Sequence, residues 1–258
     1  MLLKHFFSFV LAVSVFVSVL GCASLTGKKK MSQKERAEIL MRIGNGALVE
    51  GDPTTALQNL LQAEKVLTES SVLQHSIAVA FYRKNDINRA LEYAERSVEL
   101  DSNSALAQNT LGALYMKKER FREAKDPLMF AAKDPLNREA YKARTNLGIL
   151  HYKLGDYKKA KNNLDVAVRS EPIRACKAYY YKGHILLRSA NFDRAISNYK
   201  KASEKLCGGF SNAHFALGVA YSRNKNYELA RKKFVEVHQL FPESEAARQA
   251  LDRLKFLP

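Results

Sequence analysis

The sequence predicts an all-α protein, a solenoid of six repeated helix pairs closed by a C-terminal capping helix. Three observations favour this fold class. An alanine recurs every 34 to 36 residues, a small residue precedes each alanine by twelve positions, and no long stretch alternates with the period of a β-strand. The alanines are Ala56, Ala90, Ala124, Ala160, Ala195 and Ala230, and the small residues are Gly44, Ala78, Gly112, Gly148, Gly183 and Gly218.

Close packing explains the pattern, because a small side chain on the first helix of a pair lets the second helix approach. The pattern resembles the tetratricopeptide repeat over residues 37–242. Its best copy is Asn146-Leu147-Gly148 followed by Gly155-Asp156-Tyr157 and Ala160. The resemblance implies a right-handed superhelical solenoid of six tetratricopeptide repeats whose first helices line the concave face.

The N-terminus reads as an export signal. After Lys4, residues 6–20 are free of charge, which is the length of a signal-peptide core and short for a membrane span. The run ends at Gly21-Cys22 and resembles a bacterial lipobox, which implies cleavage before Cys22 and attachment of acyl chains (palmitate) to that cysteine. An uncleaved anchor and an ordinary signal peptide with an incidental cysteine are the alternatives. Two or more acyl chains give stable membrane attachment.

The remaining elements follow in order. Residues 22–31 form a tether that reaches at most about 33 Å. Ser32 and Glu35 form a capping box that opens the first helix, and Gly51-Asp52-Pro53 ends that helix and begins the next. The predicted repeats are 37–70, 71–104, 105–140, 141–175, 176–210 and 211–242, within a repeat domain of 32–242. Residues 243–258 form the capping helix that solvates the end of the solenoid.

Charge is distributed unevenly along the chain. The net charge is +16, and residues 105–258 carry 30 basic and 15 acidic side chains, whereas residues 22–104 carry 11 of each. A basic half favours acidic protein partners, anionic headgroups or cell-wall polymers. The export signal argues against nucleic acid as a partner.

No catalytic motif is present, so the sequence predicts a protein that is not an enzyme and takes neither a cofactor nor a small-molecule substrate. Metalloprotease, phosphate-loop and nucleophile-elbow patterns are all missing from the sequence. The five histidines beyond the signal fall inside repeat helices without neighbours at metal-ligand spacing, and we expect them to be buried or to line the groove.

Cys176 and Cys207 are placed to form a disulfide. Cys176 opens the first helix of the fifth repeat and Cys207 follows its second helix, and antiparallel helices bring those two ends together. An exported protein meets an oxidising compartment. The alternative is two small apolar residues that do not bond.

A partner-binding groove is predicted from positions two, five, nine and twelve of the first helices. In the N-terminal repeats these positions are mostly apolar, which suits a partner's helix or an extended hydrophobic segment. Partial coverage by neighbouring helices is the alternative. The groove residues that we select are Met41, Asn45, Leu48, Val79, Tyr82, Asn109 and Met116.

The whole layout resembles the type IV pilus biogenesis lipoproteins of the PilF/PilW family, the secretin pilotins. A lipobox, six repeats and a third repeat lengthened through 134–139 carry the resemblance. It implies a protein anchored in the outer membrane by its acyl chains and facing the periplasm, where it binds secretin subunits and promotes their localisation and multimerisation. The alternatives are a lipoprotein scaffold for cell-wall hydrolases or proteases and a component of outer-membrane protein insertion.

Overall fold

The computed structural model describes residues 31–134 and 137–258, and these residues form helices joined by short turns. Six helix pairs follow one another along the chain. Their first helices are α1 (Gln33–Glu50), α3 (Ser71–Arg83), α5 (Ala105–Lys117), α7 (Ala140–Lys153), α9 (Cys176–Arg188) and α11 (Ser211–Arg223). Their second helices are α2 (Pro53–Glu64), α4 (Ile87–Leu100), α6 (Phe121–Lys133), α8 (Tyr157–Ser170), α10 (Phe192–Ser203) and α12 (Tyr227–Leu240). Helix α13 (Glu245–Lys255) closes the chain, and a short 3₁₀ turn, Lys205–Cys207, follows α10.

Each helix packs mainly against its pair partner and against the helix that follows it in sequence. This arrangement is the predicted all-α solenoid. The first helices of successive repeats also touch, so α3, α5, α7 and α9 stand side by side. Buried residues form four clusters in succession along the chain. The fold therefore has an elongated core assembled repeat by repeat.

The predicted helix boundaries at the first turn are confirmed. The Ser32 hydroxyl accepts a hydrogen bond from Glu35 N at 3.1 Å, and Ser32 N donates to Glu35 Oε2 at 2.7 Å. Gly51 adopts a left-handed φ of 85°, and the Asp52 carboxylate accepts hydrogen bonds from Thr54 N and Thr55 N at 3.0 Å. These contacts end α1 and begin α2 at the residues that the sequence indicates.

Helix α6 continues through Pro127. Proline in a helix interior removes one backbone hydrogen bond and disfavours the conformation of the residue before it. Ala124, Leu128 and Ala131 on the same helix are fully buried and belong to one core cluster. Tertiary packing of this apolar face holds the helix together across the proline.

The C-terminal helix α13 covers the end of the solenoid, as predicted. Ala246, Ala247 and Ala250 are buried in the cluster that contains Phe234 and Val237 of α12. The opposite face of α13 carries exposed charged residues. The helix thus buries the last apolar surface and presents a polar one to solvent.

Candidate partner-binding groove

The first helices of the second to fifth repeats enclose a groove with a cavity of about 460 Å³. Its residues come from α3, α5, α7, the first residues of α9 and the turn that leads into α9. The side chains differ in chemistry from one end to the other. Val79, Tyr82 and Ala113 make an apolar wall, whereas Lys142, Arg174 and Lys177 make a cationic wall. The volume lies in the range of small-ligand pockets and of sites for a few peptide side chains.

Two asparagines join the helices at the centre of the groove. Asn146 Nδ2 on α7 donates a hydrogen bond to Asn109 Oδ1 on α5 at 2.9 Å. Among the described residues, Asn109 Nδ2 and Asn146 Oδ1 have no hydrogen-bond partner, so one amide donor and one amide acceptor remain for a ligand. A peptide main chain offers groups of both kinds.

The cationic wall is only partly neutralised. Lys142 Nζ pairs with Glu139, and Arg174 Nη2 pairs with Glu171 Oε2 at 2.7 Å. The hydrogen bond from Arg174 lowers the pKa of the Glu171 carboxyl below its usual value. Lys177 is exposed and forms no ion pair within the part of the chain that the structure describes. This end of the groove therefore attracts anionic groups.

A half-buried histidine connects α3 and α5 at the wall of the groove. His75 Nε2 and Thr110 Oγ1 are 2.9 Å apart, and Thr110 lines the groove. Burial lowers the pKa of His75, although the nearby Glu139 carboxylate opposes the shift. The neutral imidazole thus acts as a hydrogen-bonding spacer between two first helices.

An aromatic cluster lies in the fourth and fifth repeats. The rings of Tyr180 and His184 meet edge to face with centroids 4.3 Å apart, and those of Tyr152 and Tyr181 with centroids 5.3 Å apart. Burial lowers the pKa of His184 to about 4 and raises the pKa of Tyr180 to about 12. The Tyr199 hydroxyl beneath this cluster is buried and has no hydrogen-bond partner among the residues that the structure describes. This part of the fold is stabilised by ring packing rather than by polar contacts.

The structure brings three of the seven selected groove residues together. Val79, Tyr82 and Asn109 line the same cavity. Met41 and Asn45 are half-buried on α1, and Met116 is half-buried and packs against the cluster around α6. Leu48 is only 8% exposed because its side chain belongs to the N-terminal core cluster, so it offers no open binding surface.

The selection by repeat position missed several residues that line the cavity, and Asn146 and Arg174 are two of them. Asn146 occupies position six, which the helical pattern assigns away from the groove, and Arg174 lies in an inter-repeat turn. Arg174 could have been identified from the sequence, because it lies just before Cys176, the predicted start of a first helix that lines the concave face. The signal for Asn146 depends on its pairing with Asn109, which is visible only once the repeats are stacked.

Cys176 and Cys207 are joined by a disulfide in the structure, with Cα atoms 5.5 Å apart. Cys176 itself lines the groove. The bond therefore links the cationic end of the groove to the turn that follows α10.

The lipidation residue, Cys22, lies outside the described residues. Within 31–134 and 137–258, no helix has the length and apolar character that crossing a bilayer requires. The same residues contain no group of three or more His, Cys, Asp or Glu side chains able to hold a metal ion.

Family models described as tetratricopeptide repeat match residues 145–202 and 211–244. By sequence, the chain is 24% identical over 161 residues to the type IV pilus assembly protein PilF of Pseudomonas aeruginosa. That match covers 62% of this chain and spans 64% of the length of the relative.

Solved structures show the same fold. A structure of Pseudomonas aeruginosa PilF aligns with a TM-score of 0.69 at 19% identity and covers 85% of this chain and 98% of that one. PilW, described as a type IV pilus biogenesis factor, aligns with a TM-score of 0.72 at 18% identity and covers 86% and 100%. The Cut9–Hcn1 assembly of the APC/C aligns with a TM-score of 0.77 at 18% identity, over 86% of this chain and 43% of that one. The chain is thus a tetratricopeptide-repeat solenoid, a fold that serves unrelated functions.

Proposed function

We propose that this tetratricopeptide-repeat protein, similar in sequence to PilF and in fold to PilF and PilW, acts in type IV pilus assembly. The sequence similarity to PilF carries the proposal, because it extends over 161 residues and is therefore longer than four repeats. Similar folds occur in proteins of unrelated function, so the fold alone would not select this role.

In the proposed mechanism the protein binds and does not catalyse. Acyl chains on Cys22 hold it at the periplasmic face of the outer membrane, and the groove binds a secretin subunit. The tether keeps the repeats close to the bilayer, which raises the effective concentration of the bound subunit there without additional contacts. Subunits gathered in this way multimerise into the ring.

The groove supports a binding role. Its apolar wall and its unpaired asparagine groups are suited to a polypeptide segment, and the disulfide at Cys176 links one end of the groove to the next turn. Among the described residues, no group of three or more His, Cys, Asp or Glu side chains able to hold a metal ion lies at this cavity.

Replacing the lipidation residue tests the anchored function. We expect Cys22→Ser to reduce secretin rings in the outer membrane strongly, while Ser24→Ala, a neighbouring change that preserves Cys22, leaves them unchanged. Ring assembly is followed by fractionation and by gels that retain the multimer. Normal rings at the outer membrane in the Cys22→Ser strain would overturn the proposal.

A second pair of variants tests the groove. Tyr82 is 45% exposed on the apolar wall, whereas Val49 on α1 is 88% exposed and does not line the cavity. We expect Tyr82→Asp to weaken capture of the secretin about tenfold or more, and Val49→Asp to leave it unchanged. Equal capture by both variants would show that the secretin binds another surface.

One observation favours a second candidate function. The excess of cations in residues 105–258 would suit a scaffold for acidic cell-wall hydrolases or proteases. Deletion of the gene separates the two roles. Loss of twitching motility supports pilus assembly, and altered cell shape or septation with normal pili supports the scaffold.

A further inference from the structure

The groove is divided by charge along the axis of the solenoid. Position two of the first helix is Val72 in the second repeat and Leu106 in the third, and these side chains are 62% and 48% exposed. The same position is Lys142 in the fourth repeat and Lys177 in the fifth. One side of the groove thus changes from exposed aliphatic to cationic between α5 and α7.

The walls of the cavity repeat this division. Val79 and Tyr82 lie at its α3 end, and Arg174 and Lys177 lie at its α9 end. Arg174 also sits beside the Tyr141 ring, with its guanidinium carbon 5.7 Å from the ring centroid. The unpaired groups of Asn109 and Asn146 stand between the two ends, where a main chain would cross from one to the other.

We propose that the groove binds an extended polypeptide segment whose apolar side chains contact Val79 and Tyr82 and whose carboxylates pair with Lys142 and Lys177. The inference rests on the proposed binding role of this groove and specifies the chemistry of its occupant. Complementary charge fixes the direction of the segment, because reversal would place carboxylates against the apolar wall and apolar side chains against Lys142 and Lys177.

The spacing within the segment follows from helix packing. Neighbouring first helices that touch lie roughly 8–10 Å apart. Lys142 on α7 is two such steps from the apolar end on α3 and Lys177 on α9 is three, which gives separations of about 16–30 Å. An extended chain advances about 3.3 Å per residue. The acidic residues of the bound segment therefore lie about five to nine positions from its apolar anchor.

A polypeptide fits this surface better than a bilayer. Lys142 and Lys177 line the same concave cavity as Val79, Tyr82 and the two asparagines, and an extended chain can contact all of these groups at once. An apolar wall opposite the cations is also unnecessary for headgroup binding. Anionic vesicles therefore serve as a competitor in the test.

A displayed library of random twelve-residue peptides, selected on the purified full chain, tests the inference without assuming a sequence. We expect enrichment of peptides with a large apolar residue about five to nine positions from one or two Asp or Glu residues. Phosphatidylglycerol vesicles should not displace a selected peptide. Enrichment without acidic residues, or displacement by the vesicles, would overturn the inference.

Reversing the charge of Lys142 and Lys177 tests whether these two lysines pair with the carboxylates of the bound peptide. Lys142→Glu with Lys177→Glu should weaken a selected acidic peptide about tenfold or more and should shift a new selection towards basic peptides. Lys158→Glu with Lys232→Glu places the same charge change on exposed residues of α8 and α12 and should alter neither result. An unchanged selection by the groove variant would refute the assignment.

The peptide selection and the secretin assays can fail independently. Acidic and apolar peptides that depend on Lys142 and Lys177, together with secretin rings that are indifferent to the protein, would support the groove chemistry and refute the pilus role. Secretin rings that require the protein, together with no enriched peptide motif, would support the pilus role and refute the groove chemistry.

Discussion

At the residue scale, helix pairing depends on one small residue facing one large residue. A Cβ added at Gly112 would lie 2.5 Å from Leu128 Cγ, and one added at Gly183 would lie 2.5 Å from Tyr199 Cε1. The second repeat is instructive, because Ala78 replaces the glycine and Ala94 occupies the partner position; both are fully buried. A larger residue on one helix is thus matched by a smaller one on the other, which keeps the pair closely packed.

We predict that Gly112→Ala lowers the free energy of unfolding by about 1–3 kcal/mol, because the added methyl group must displace the buried Leu128. Gly46→Ala is the matched control. Nothing lies within 4 Å of a Cβ at Gly46 in α1, so this change should raise stability by about 0.5–1 kcal/mol through helix propensity. Urea unfolding followed by circular dichroism measures both. A stabilised Gly112→Ala variant would contradict the packing argument.

The same aromatic packing makes stability depend on pH. The folded pKa of His184 is lowered from 6.5 to about 4 by burial, whereas the unfolded chain regains the ordinary value. Between these values the unfolded histidine is protonated and the folded one is neutral, so stability falls as the pH drops through this window. We expect a change from about pH 7 to about pH 5 to cost about 2 kcal/mol from this residue.

His184→Phe keeps an aromatic ring in the cluster and removes the titrating group. It should therefore abolish the contribution of His184 to the loss of stability at low pH. The exposed His238 provides the control, since His238→Phe should leave the acid sensitivity as it is. Thermal unfolding at several pH values measures how the stability of each variant depends on pH. An unchanged pH profile in His184→Phe would show that the acid sensitivity arises elsewhere.

At the element scale, each helix pair is joined by a turn with one left-handed residue. Glycine serves at Gly51 and Gly155, with φ of 85° and 79°. The other four turns use side-chain-bearing residues with φ between 55° and 62°: Asn85, Glu119, Ala190 and Lys225. A left-handed conformation costs residues other than glycine free energy, so the turn geometry is imposed by the packing of the pair.

Exchanging glycine and alanine at the left-handed position of two equivalent turns tests whether backbone strain there affects stability. Gly155→Ala should lower the free energy of unfolding by about 1 kcal/mol, and Ala190→Gly should raise it by up to about 1 kcal/mol, because glycine relieves the strained conformation. Chemical denaturation of both variants measures the difference. If both changes shift stability in the same direction, strain at this position does not control the turn.

At the scale of the whole molecule, stability is distributed repeat by repeat, because each repeat contacts its neighbours and little else. The disulfide between Cys176 and Cys207 closes a loop within the fifth repeat, across a sequence separation of 31. Its effect should therefore be local. It also limits the motion of the α9 end of the groove.

We predict that Cys176→Ala with Cys207→Ala lowers the free energy of opening of the fifth repeat by about 3–4 kcal/mol, the entropy of closing a loop of this length. Hydrogen exchange should rise in α9 and α10 and stay unchanged in α1 to α4. Reducing agent should reproduce this pattern in the unaltered chain and have no further effect on the variant. Uniform loosening of all repeats would contradict the nearest-neighbour description.

The sequence by itself determined the class of fold, the number of helix pairs and the helix ends at Ser32, Gly51-Asp52 and Gly155-Asp156. These features are encoded locally. The small residue at Gly148, the cap at Asp52 and the left-handed turn at Gly155 each act within one helix pair, so periodic signals in the chain predict them. The pairing of Cys176 with Cys207 was also within reach, because both lie at the same end of one antiparallel pair.

The tertiary structure alone decided which side chains of different repeats share a surface. Leu48 and Tyr82 occupy the same repeat position, yet Leu48 is 8% exposed within the core and Tyr82 is 45% exposed in the groove. The contact of Asn109 with Asn146 and the entry of Arg174 into the cavity likewise depend on how each repeat is rotated against the next. That rotation results from packing across repeats, and the sequence of a single repeat does not determine it.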